Sequence, residues 1–268
     1  MPKAPTASAI ETGIVEGEFL PWYQTLHDAD GRVTGVEALL RWEHPVRGLL
    51  GPSEFIETAE AFGLIHSMGM GMLASVALDC RDGLLAKIGP QGRISLNLSP
   101  KQLAEPSFIP RLADFLTDGA LPQTRCDLEV TETAFDAERK DSIAKLHLLK
   151  EFGFRVLLDD FGTGFSFLSQ LQELPVDGVK IDQRFVRQLP HCVKSREIVR
   201  ALIELAGTLE LSVTAEGVET AAQWQCLKAM GCRSLQGFLF SRPAPLDALK
   251  DYDAGQTTIV SVPGGDSS

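Results

Sequence analysis

The sequence predicts an α/β fold, a modified TIM-type (β/α)8 barrel with an antiparallel opening strand. Eight short strand-like segments recur along the chain, and helix-like segments with apolar residues at helical spacing separate the later ones. Strands that alternate with helices form a largely parallel sheet, and eight of them within roughly 250 residues is the size of such a barrel. An open doubly wound sheet is the competing fold, but no G-x-G-x-x-G motif follows the first strand.

The first two strand candidates are the exception to this alternation. They occupy residues 18–27 and 32–42, and only the turn signal DADG separates them. Two strands joined by so short a turn pair antiparallel. Helical patterns then follow at 52–63 and from His66 to about Lys87.

The rest of the chain alternates regularly between strand and helix. Six further strand candidates lie at 93–99, 126–132, 154–160, 177–182, 212–217 and 234–240. The helical patterns between them lie at 107–119, 138–153, 168–174, 195–210 and 220–231. We therefore expect one barrel domain at residues 10–253, between a flexible N-terminus at 1–9 and a small, polar, disordered tail at 254–268.

Composition and charge exclude several classes of protein. The 268 residues include 25 Lys and Arg against 36 Asp and Glu, a formal net charge of −11, which argues against a protein that coats DNA or RNA polymers. No apolar run reaches the roughly 18 residues that a membrane helix needs, and the N-terminus lacks the apolar stretch of a signal peptide. The five cysteines form no C-x-x-C pair, which predicts reduced thiols and a cytoplasmic location.

Polar side chains stand near the carboxyl ends of seven successive strand candidates, where a (β/α)8 barrel places its active site. They are Glu37, Asn97, Glu129, Asp159, Asp160, Lys180, Glu216 and Gln236. A polar strand end is common for any one strand. Five carboxylates at one barrel mouth would repel one another, however, and burying them unpaired costs several kcal/mol each.

The types of these side chains predict how the charge is balanced. One lysine cannot neutralise five carboxylates, so divalent cations are expected. Carboxylates and an amide, without imidazole or thiolate, select hard ions such as Mg²⁺ or Mn²⁺. The adjacent Asp159 and Asp160 indicate two ions, because one carboxylate could bridge both while its neighbour binds one. Paired metal ions recur in the hydrolysis of phosphate esters.

The string EALLRW at 37–42 resembles the signature of the EAL-domain family of cyclic di-GMP phosphodiesterases. Similar motifs follow in the family's order: SLNLSPKQL, LEVTET, LLDDFGTGFSFL, LPVDGVKID, AEGVET and QGFLFSRP. The resemblance covers residues from about Ile10 to Tyr252. The resemblance implies an enzyme that hydrolyses cyclic di-GMP to linear pGpG by two-metal activation of water, and so lowers second-messenger signalling.

The resemblance also implies a role for each residue of the site. The implied ligands of the two ions, with Asp159 as the bridge, are Glu37, Asn97, Glu129, Asp159, Asp160 and Glu216. Lys180 matches the lysine beside the attacking water, and Glu216 matches a glutamate that acts as a metal ligand or as a general base. The implied catalytic residues are Lys180, Glu216, Glu37 and Asp159. Arg41 matches a residue that grips a substrate phosphate. Substrate contact and a structural hydrogen bond are equally good interpretations for Gln24, Glu219 and Gln236.

A loop at 161–168, directly after the two aspartates, is expected to be regulatory. Glu132 matches a glutamate that anchors this loop, with Thr163 and Ser166 as candidate partners. Phe165 replaces the family's usual Tyr and is expected to pack into the barrel wall, whereas Phe167 replaces a usual Ser and is expected at a homodimer contact.

Two functions other than catalysis on cyclic di-GMP are compatible with parts of the sequence. A catalytically silent receptor or scaffold that uses the same pocket stays open, although no implied ligand is missing from the sequence. Spacing alone also allows a Mg²⁺-dependent lyase or enolase-type barrel with Lys180 as the base, but the ordered motifs exclude it. A sensor or GGDEF partner would lie outside these 268 residues.

Overall fold

The computed structural model describes residues 4–117, 121–135, 139–162 and 171–250. Within these ranges one sheet contains all the described strands. Their bounds are β1 Phe19–Asp28, β2 Val33–His44, β3 Gly48–Leu50, β4 Arg93–Asn97, β5 Cys126–Thr131, β6 Arg155–Phe161, β7 Gly178–Ile181, β8 Ser212–Ala215 and β9 Ser234–Gln236.

Eight of these strands close into a barrel. The order around the ring is β1-β9-β8-β7-β6-β5-β4-β2, and β1 also pairs with β2. Strand β1 is antiparallel to both of its neighbours, while each pair from β2–β4 round to β8–β9 is parallel. This confirms the predicted modified barrel and its antiparallel opening strand. The short β3, which the sequence pattern does not predict, extends a hairpin from β2 outside the ring.

Helices cover the outside of the barrel. Their bounds are α1 Ala7–Val15, α2 Ile56–Ala61, α3 Ile65–Asp79, α4 Leu85–Lys87, α5 Pro100–Ala104, α6 Phe108–Thr117, α7 Arg139–Glu151, α8 Gln183–Val186, α9 Val193–Thr208 and α10 Ala221–Ala229. The predicted helix from His66 to Lys87 is interrupted, because Gly83 adopts a φ of +118° between α3 and α4.

Helix α1 begins inside the segment that was expected to be flexible. Thr6 caps it by accepting a hydrogen bond from the Ala9 amide, and Ile10 is completely buried. Ile10 belongs to a small apolar cluster with Trp42 and Phe55, beside the β1–β2 hairpin. Residues 7–9 are therefore ordered by packing, a correction to the predicted boundary at residue 10. The predicted disordered tail at 254–268 lies outside the described residues.

The main core lies between the sheet and the helices. It contains outward-facing strand residues such as Val36, Ile94 and Val156, together with Leu112, Leu146 and Val199 from the helices. The alternate residues of each strand face the barrel interior. In the parallel register Glu37 lies beside Ser95, and Asn97 beside Glu129, so the polar side chains collect at one end of the barrel.

The structure also bears on the cysteines and on membrane-spanning helices. All five cysteines are free thiols, as the sequence predicts. No helix among the described residues is long and apolar enough to span a bilayer.

Candidate active site at the carboxyl end of the barrel

Lys180 is the centre of the site. Its side chain extends inward from β7, and the residue is 1% exposed. The Nζ atom lies 2.5 Å from Glu129 Oε2, 2.6 Å from Glu216 Oε1, 3.3 Å from Glu37 Oε2 and 3.8 Å from Asp159 Oδ1. Burial alone would lower the pKa of the lysine, but these carboxylates outweigh it and hold the pKa well above its ordinary value. The ammonium is therefore charged.

Glu37 is held by donors on both of its oxygens. Asn97 Nδ2 donates to Oε1 at 2.7 Å, and Gln236 Nε2 donates to Oε2 at 2.7 Å. Burial pushes the pKa of Glu37 up, but Lys180, Gln236 and Asn97 together bring it below the ordinary value. Glu37 is thus an ionised carboxylate with a fixed orientation.

The pKa values of Glu129 and Glu216 are raised, in contrast to that of Glu37. Burial, with the neighbouring Glu37, raises the pKa of Glu129 well above its ordinary value despite the contact with Lys180. Burial likewise raises the pKa of Glu216 to about 7, although Lys180 opposes the shift. One lysine therefore does not satisfy the negative charge of the cluster, and the carboxylates repel one another.

Asp159 and Asp160 diverge at the end of β6. The pairing with β7 shifts register between Leu158 and Phe161, and Asp160 adopts a left-handed φ of +57°. Asp159 consequently faces Lys180, whereas Asp160 shares a hydrogen bond with Asp182. Burial and the two neighbouring aspartates raise the pKa of Asp160 to about 6. Of the two carboxylates expected to share one centre, only Asp159 lies within 4 Å of Lys180, and the role of Asp160 as a metal ligand stays a prediction.

A cavity of about 270 Å³ opens above this cluster. Its lining includes Glu37, Asp159 and Glu216 from the cluster, together with Gln24, Leu39, Gln183, Gly217, Glu219, Gln236, Gly237 and Phe238. Three of the four predicted substrate contacts thus line this cavity, and Arg41 does not. Gln24 and Gln236 are also hydrogen-bonded to each other at 3.1 Å, which supports the structural interpretation of these two side chains.

Arg41 lies on the same face of β2 as Glu37, two pleats further toward the mouth. Burial lowers the pKa of its guanidinium, and Glu37 partly offsets the shift. Its only hydrogen bond to a described residue is to the Leu40 carbonyl oxygen, at 2.9 Å. The guanidinium is therefore not held in an ion pair by the described part of the chain.

The residues of the cluster fit a divalent cation. Among the described residues no three histidine, cysteine or carboxylate side chains are arranged to enclose an ion, and the Lys180 ammonium lies where the carboxylates converge. However, Glu129 Oε1 is buried without a hydrogen-bond partner within the described chain, and four carboxylates face a single lysine. The donors are all oxygen atoms, which is the set that Mg²⁺ and Mn²⁺ prefer.

The sequence does not reveal every residue at this end of the barrel. Phe238 and Gln183 line the mouth, and Phe238 is 45% exposed with Arg242 stacked 4.3 Å from its ring centroid. Asp182 ends the motif DGVKID, but the motif does not indicate its hydrogen bond with Asp160. An apolar ring directly after a Gln-Gly pair at a strand end is the signal that could have indicated Phe238.

The predicted regulatory loop is only partly described. Glu132 lies directly after β5, as the first residue of the 3-10 turn Glu132–Phe135. Gly162 has a φ of +99°, a conformation that glycine adopts without strain. Residues 163–170, which include Thr163, Phe165, Ser166 and Phe167, lie outside the described residues. The loop anchor and the homodimer contact stay predictions.

Comparison with known proteins places this chain in a family. The family model described as "EAL domain" matches residues 7–243. A Pseudomonas aeruginosa protein named cyclic di-GMP phosphodiesterase NbdA is 40% identical over 224 residues, which is 84% of this chain and 28% of the relative. An uncharacterized signaling protein of Caulobacter vibrioides is 41% identical over 91% of this chain and 30% of its own length. The chain thus spans less than a third of the length of these two relatives.

A solved structure has the same fold as this chain. The structure described as a PaMucR phosphodiesterase in complex with c-di-GMP superposes with a TM-score of 0.83 and 37% identity. The match covers 90% of this chain and 98% of the other. The two chains therefore share the barrel fold.

Proposed function

This chain belongs to the EAL domain family, and from that premise we propose that it is a metal-dependent phosphodiesterase that hydrolyses cyclic di-GMP to linear pGpG. The observation that carries the proposal is the convergence of Glu37, Glu129, Asp159 and Glu216 on the buried Lys180 at the carboxyl end of the barrel. Such a cluster has an excess of negative charge that a bound cation would balance.

The metal ligands in this proposal are Glu37, Asn97, Glu129, Asp159, Asp160 and Glu216, with two ions of Mg²⁺ or Mn²⁺. When bound, the ions supply the Lewis acidity that activates water for attack on a phosphodiester. Asn97 and Gln236 fix the orientation of the Glu37 carboxylate through their hydrogen bonds. Lys180 Nζ contributes a charged donor that can stabilise negative charge developing on the phosphoryl oxygens.

Substrate binding is assigned to the mouth. Arg41 has a guanidinium free of carboxylate partners in the described chain, and it can hold a phosphate through two parallel hydrogen bonds. Glu219 is exposed and lines the cavity, so it can accept a hydrogen bond from a guanine base or a ribose hydroxyl. Homodimer formation, a cytoplasmic location and a sensor or GGDEF partner outside this chain remain predictions.

The direct test is to incubate the purified protein with cyclic di-GMP and Mg²⁺ and to separate the products by chromatography. We expect pGpG to accumulate with Mg²⁺ or Mn²⁺, and poorly with Ca²⁺, whose longer bonds and higher coordination would misplace the water. Glu37→Ala and Asp159→Asn should remove the product while leaving a folded barrel.

Turnover in excess EDTA, or equal turnover with Ca²⁺, would contradict the metal mechanism. Equilibrium dialysis with labelled cyclic di-GMP separates the remaining alternative. Binding without cleavage under these conditions would identify a silent receptor that uses the same pocket, and would overturn the assignment as an enzyme.

A further inference from the structure

A second and larger cavity occupies the opposite end of the barrel. Its volume is about 650 Å³, against about 270 Å³ at the mouth. Barrels of this kind are ordinarily filled by layers of branched apolar side chains. Here several inward positions near the strand starts carry small polar residues, namely Ser95, Ser212, Thr214 and Ser234. The lower layers of the barrel therefore leave space of the size that small-molecule sites have.

One arginine of this cavity already has a partner. Arg93, the first residue of β4, donates from Nε to Asp127 Oδ1 at 2.8 Å, and its Nη atoms reach Asp127 and the carbonyl oxygens of Thr124 and Cys126. Asp127 is 4% exposed. The single negative charge of Asp127 is thus shared between Arg93, which contacts it directly, and Arg155, which lies 3.8 Å away.

Two more arginines face the same cavity. Arg155 begins β6, donates to Ser212 Oγ at 2.8 Å and comes no closer than 3.8 Å to Asp127. Arg233 directly precedes β9 and is exposed, and its guanidinium has no hydrogen bond or ion pair with any described residue. The other acidic residues of the lining are Glu129, which is held by Lys180, and Glu210, which is exposed on the rim. The lower part of the cavity thus carries a positive excess.

The hydroxyl of Ser95 lies unsatisfied inside this space. Ser95 is 0% exposed and lines the cavity, and its Oγ has no hydrogen-bond partner within the described chain. A buried hydroxyl without a partner costs roughly 1–3 kcal/mol. In the strand register Ser95 lies between Glu37 and Asp127, and Asp127 in turn lies beside Arg155. This donor points to a ligand or bridging water rather than to packing.

We propose that this cavity is a second binding site, for a small oxyanion, at the N-terminal end of the barrel. Arg155 and Arg233 would hold the anion by charge-assisted hydrogen bonds, and the Ser95 hydroxyl would donate a further hydrogen bond to it. The inner end of the cavity is formed by Lys180 and Glu129, so an occupant lies beneath the catalytic cluster and apart from the mouth. Phosphate groups and carboxylates share this chemistry.

The test is calorimetric titration of the complete chain with inorganic phosphate and, in a separate arm, with succinate. EDTA is present so that no cation recruits either anion to the mouth. We expect saturable binding of at least one anion at millimolar concentration, and the arm that saturates identifies the ligand class. Arg233→Gln and Ser95→Ala should each weaken the binding at least fivefold, and Arg155→Gln should weaken it further.

Two control variants separate this site from other anion sites. Arg111→Gln removes an exposed arginine of α6 on the outside of the barrel, and Arg41→Gln removes the arginine of the mouth; both should leave the binding unchanged. Circular dichroism and urea denaturation establish that each variant is folded. Binding that is lost with Arg41→Gln but kept with Arg233→Gln and Ser95→Ala would overturn the proposal, as would the absence of saturable binding in both arms. Neither result depends on whether cyclic di-GMP is cleaved.

Discussion

Lys180 Nζ lies 2.5 Å from Glu129 Oε2, and the residues that carry this ion pair are 1% and 2% exposed. The two side chains come from β7 and β5, which are not neighbours in the sheet. The pair therefore passes in front of β6 inside the barrel and links two strands that share no backbone hydrogen bonds. It also keeps one cation within the carboxylate cluster when no metal ion is bound.

Replacing Lys180 with the uncharged and similarly long Met should destabilise the protein and stop catalysis. Removing one partner of a buried ion pair costs about 3–5 kcal/mol, because the other charges are left uncompensated. We expect this loss in urea denaturation with EDTA, a smaller loss with Mg²⁺, and a fall in kcat of roughly 10²-fold or more. Lys228→Met, which breaks an exposed pair with Asp30, is the control and should cost far less stability, because solvent screens exposed pairs. Equal losses in the two variants would contradict the central role of Lys180.

Gln236 should act through Glu37. Its Nε2 donates to Glu37 Oε2 at 2.7 Å and to Gln24 Oε1 at 3.1 Å. Gln236→Leu keeps the volume and removes the donor, so we expect the Mg²⁺ concentration for half-maximal activity to rise about 10- to 100-fold. Metal titration of the activity measures this. A raised KM for cyclic di-GMP with an unchanged Mg²⁺ requirement would instead support the predicted substrate contact.

Much of this site follows from strand periodicity. Inward-facing residues of parallel strands reach one end of a barrel, so Glu37, Glu129 and Lys180 could be placed together from the sequence. The left-handed turn at Asp160 and the hydrogen bond from Gln236 to Glu37 depend on a register shift and on close backbone packing. Neither leaves a periodic signal. The same holds for α1, which is ordered by its contact with the β1–β2 hairpin and not by a strong pattern of its own.

Gly237 is required where two active-site loops touch. A Cβ at this position would lie 2.1 Å from the Val218 carbonyl oxygen, and Val218 N donates to Gln236 O at 3.0 Å. Gly237→Ala should therefore separate the segments that carry Glu216 and Gln236, with a loss of stability of about 1–3 kcal/mol and a lower kcat. Gly207→Ala in α9 meets nothing within 4 Å and is the control. It should be neutral or stabilise by about 0.5–1 kcal/mol. Thermal unfolding of both variants measures the difference.

Arg41 should contribute to binding more than to chemistry. A guanidinium that holds a phosphate does so in the ground state and in the transition state alike, so its loss raises KM. For Arg41→Ala we expect KM for cyclic di-GMP to rise about 10- to 100-fold, with kcat within about threefold. Steady-state kinetics of Arg47→Ala, which breaks an ion pair with Glu54 outside the site, provide the comparison. A large fall in kcat at an unchanged KM would contradict this role.

His27 forms a buried, uncharged contact between β1 and the segment after β9. The ring stacks on Phe240 with centroids 4.3 Å apart, and its nitrogens lie 3.1 Å from Gly31 O and 2.7 Å from Thr25 Oγ1. Burial lowers the pKa of His27 to about 4, although Gly31 O and Asp28 oppose the shift. The folded protein therefore holds a neutral histidine at neutral pH.

This contact predicts a loss of stability in mild acid. The pKa is about 6.5 in the unfolded chain and about 4 in the folded one, so the unfolded chain binds more protons between these values. The contribution of His27 is complete above pH 6.5 and falls by up to about 3 kcal/mol as the pH drops toward 4. Urea denaturation of the wild type and of His27→Gln across this range isolates the effect, because other groups titrate equally in both. The free energy of unfolding should fall more steeply in the wild type, whereas His191→Gln, at an exposed histidine, should follow the wild type. Parallel curves for wild type and His27→Gln would show that His27 is not held neutral by burial.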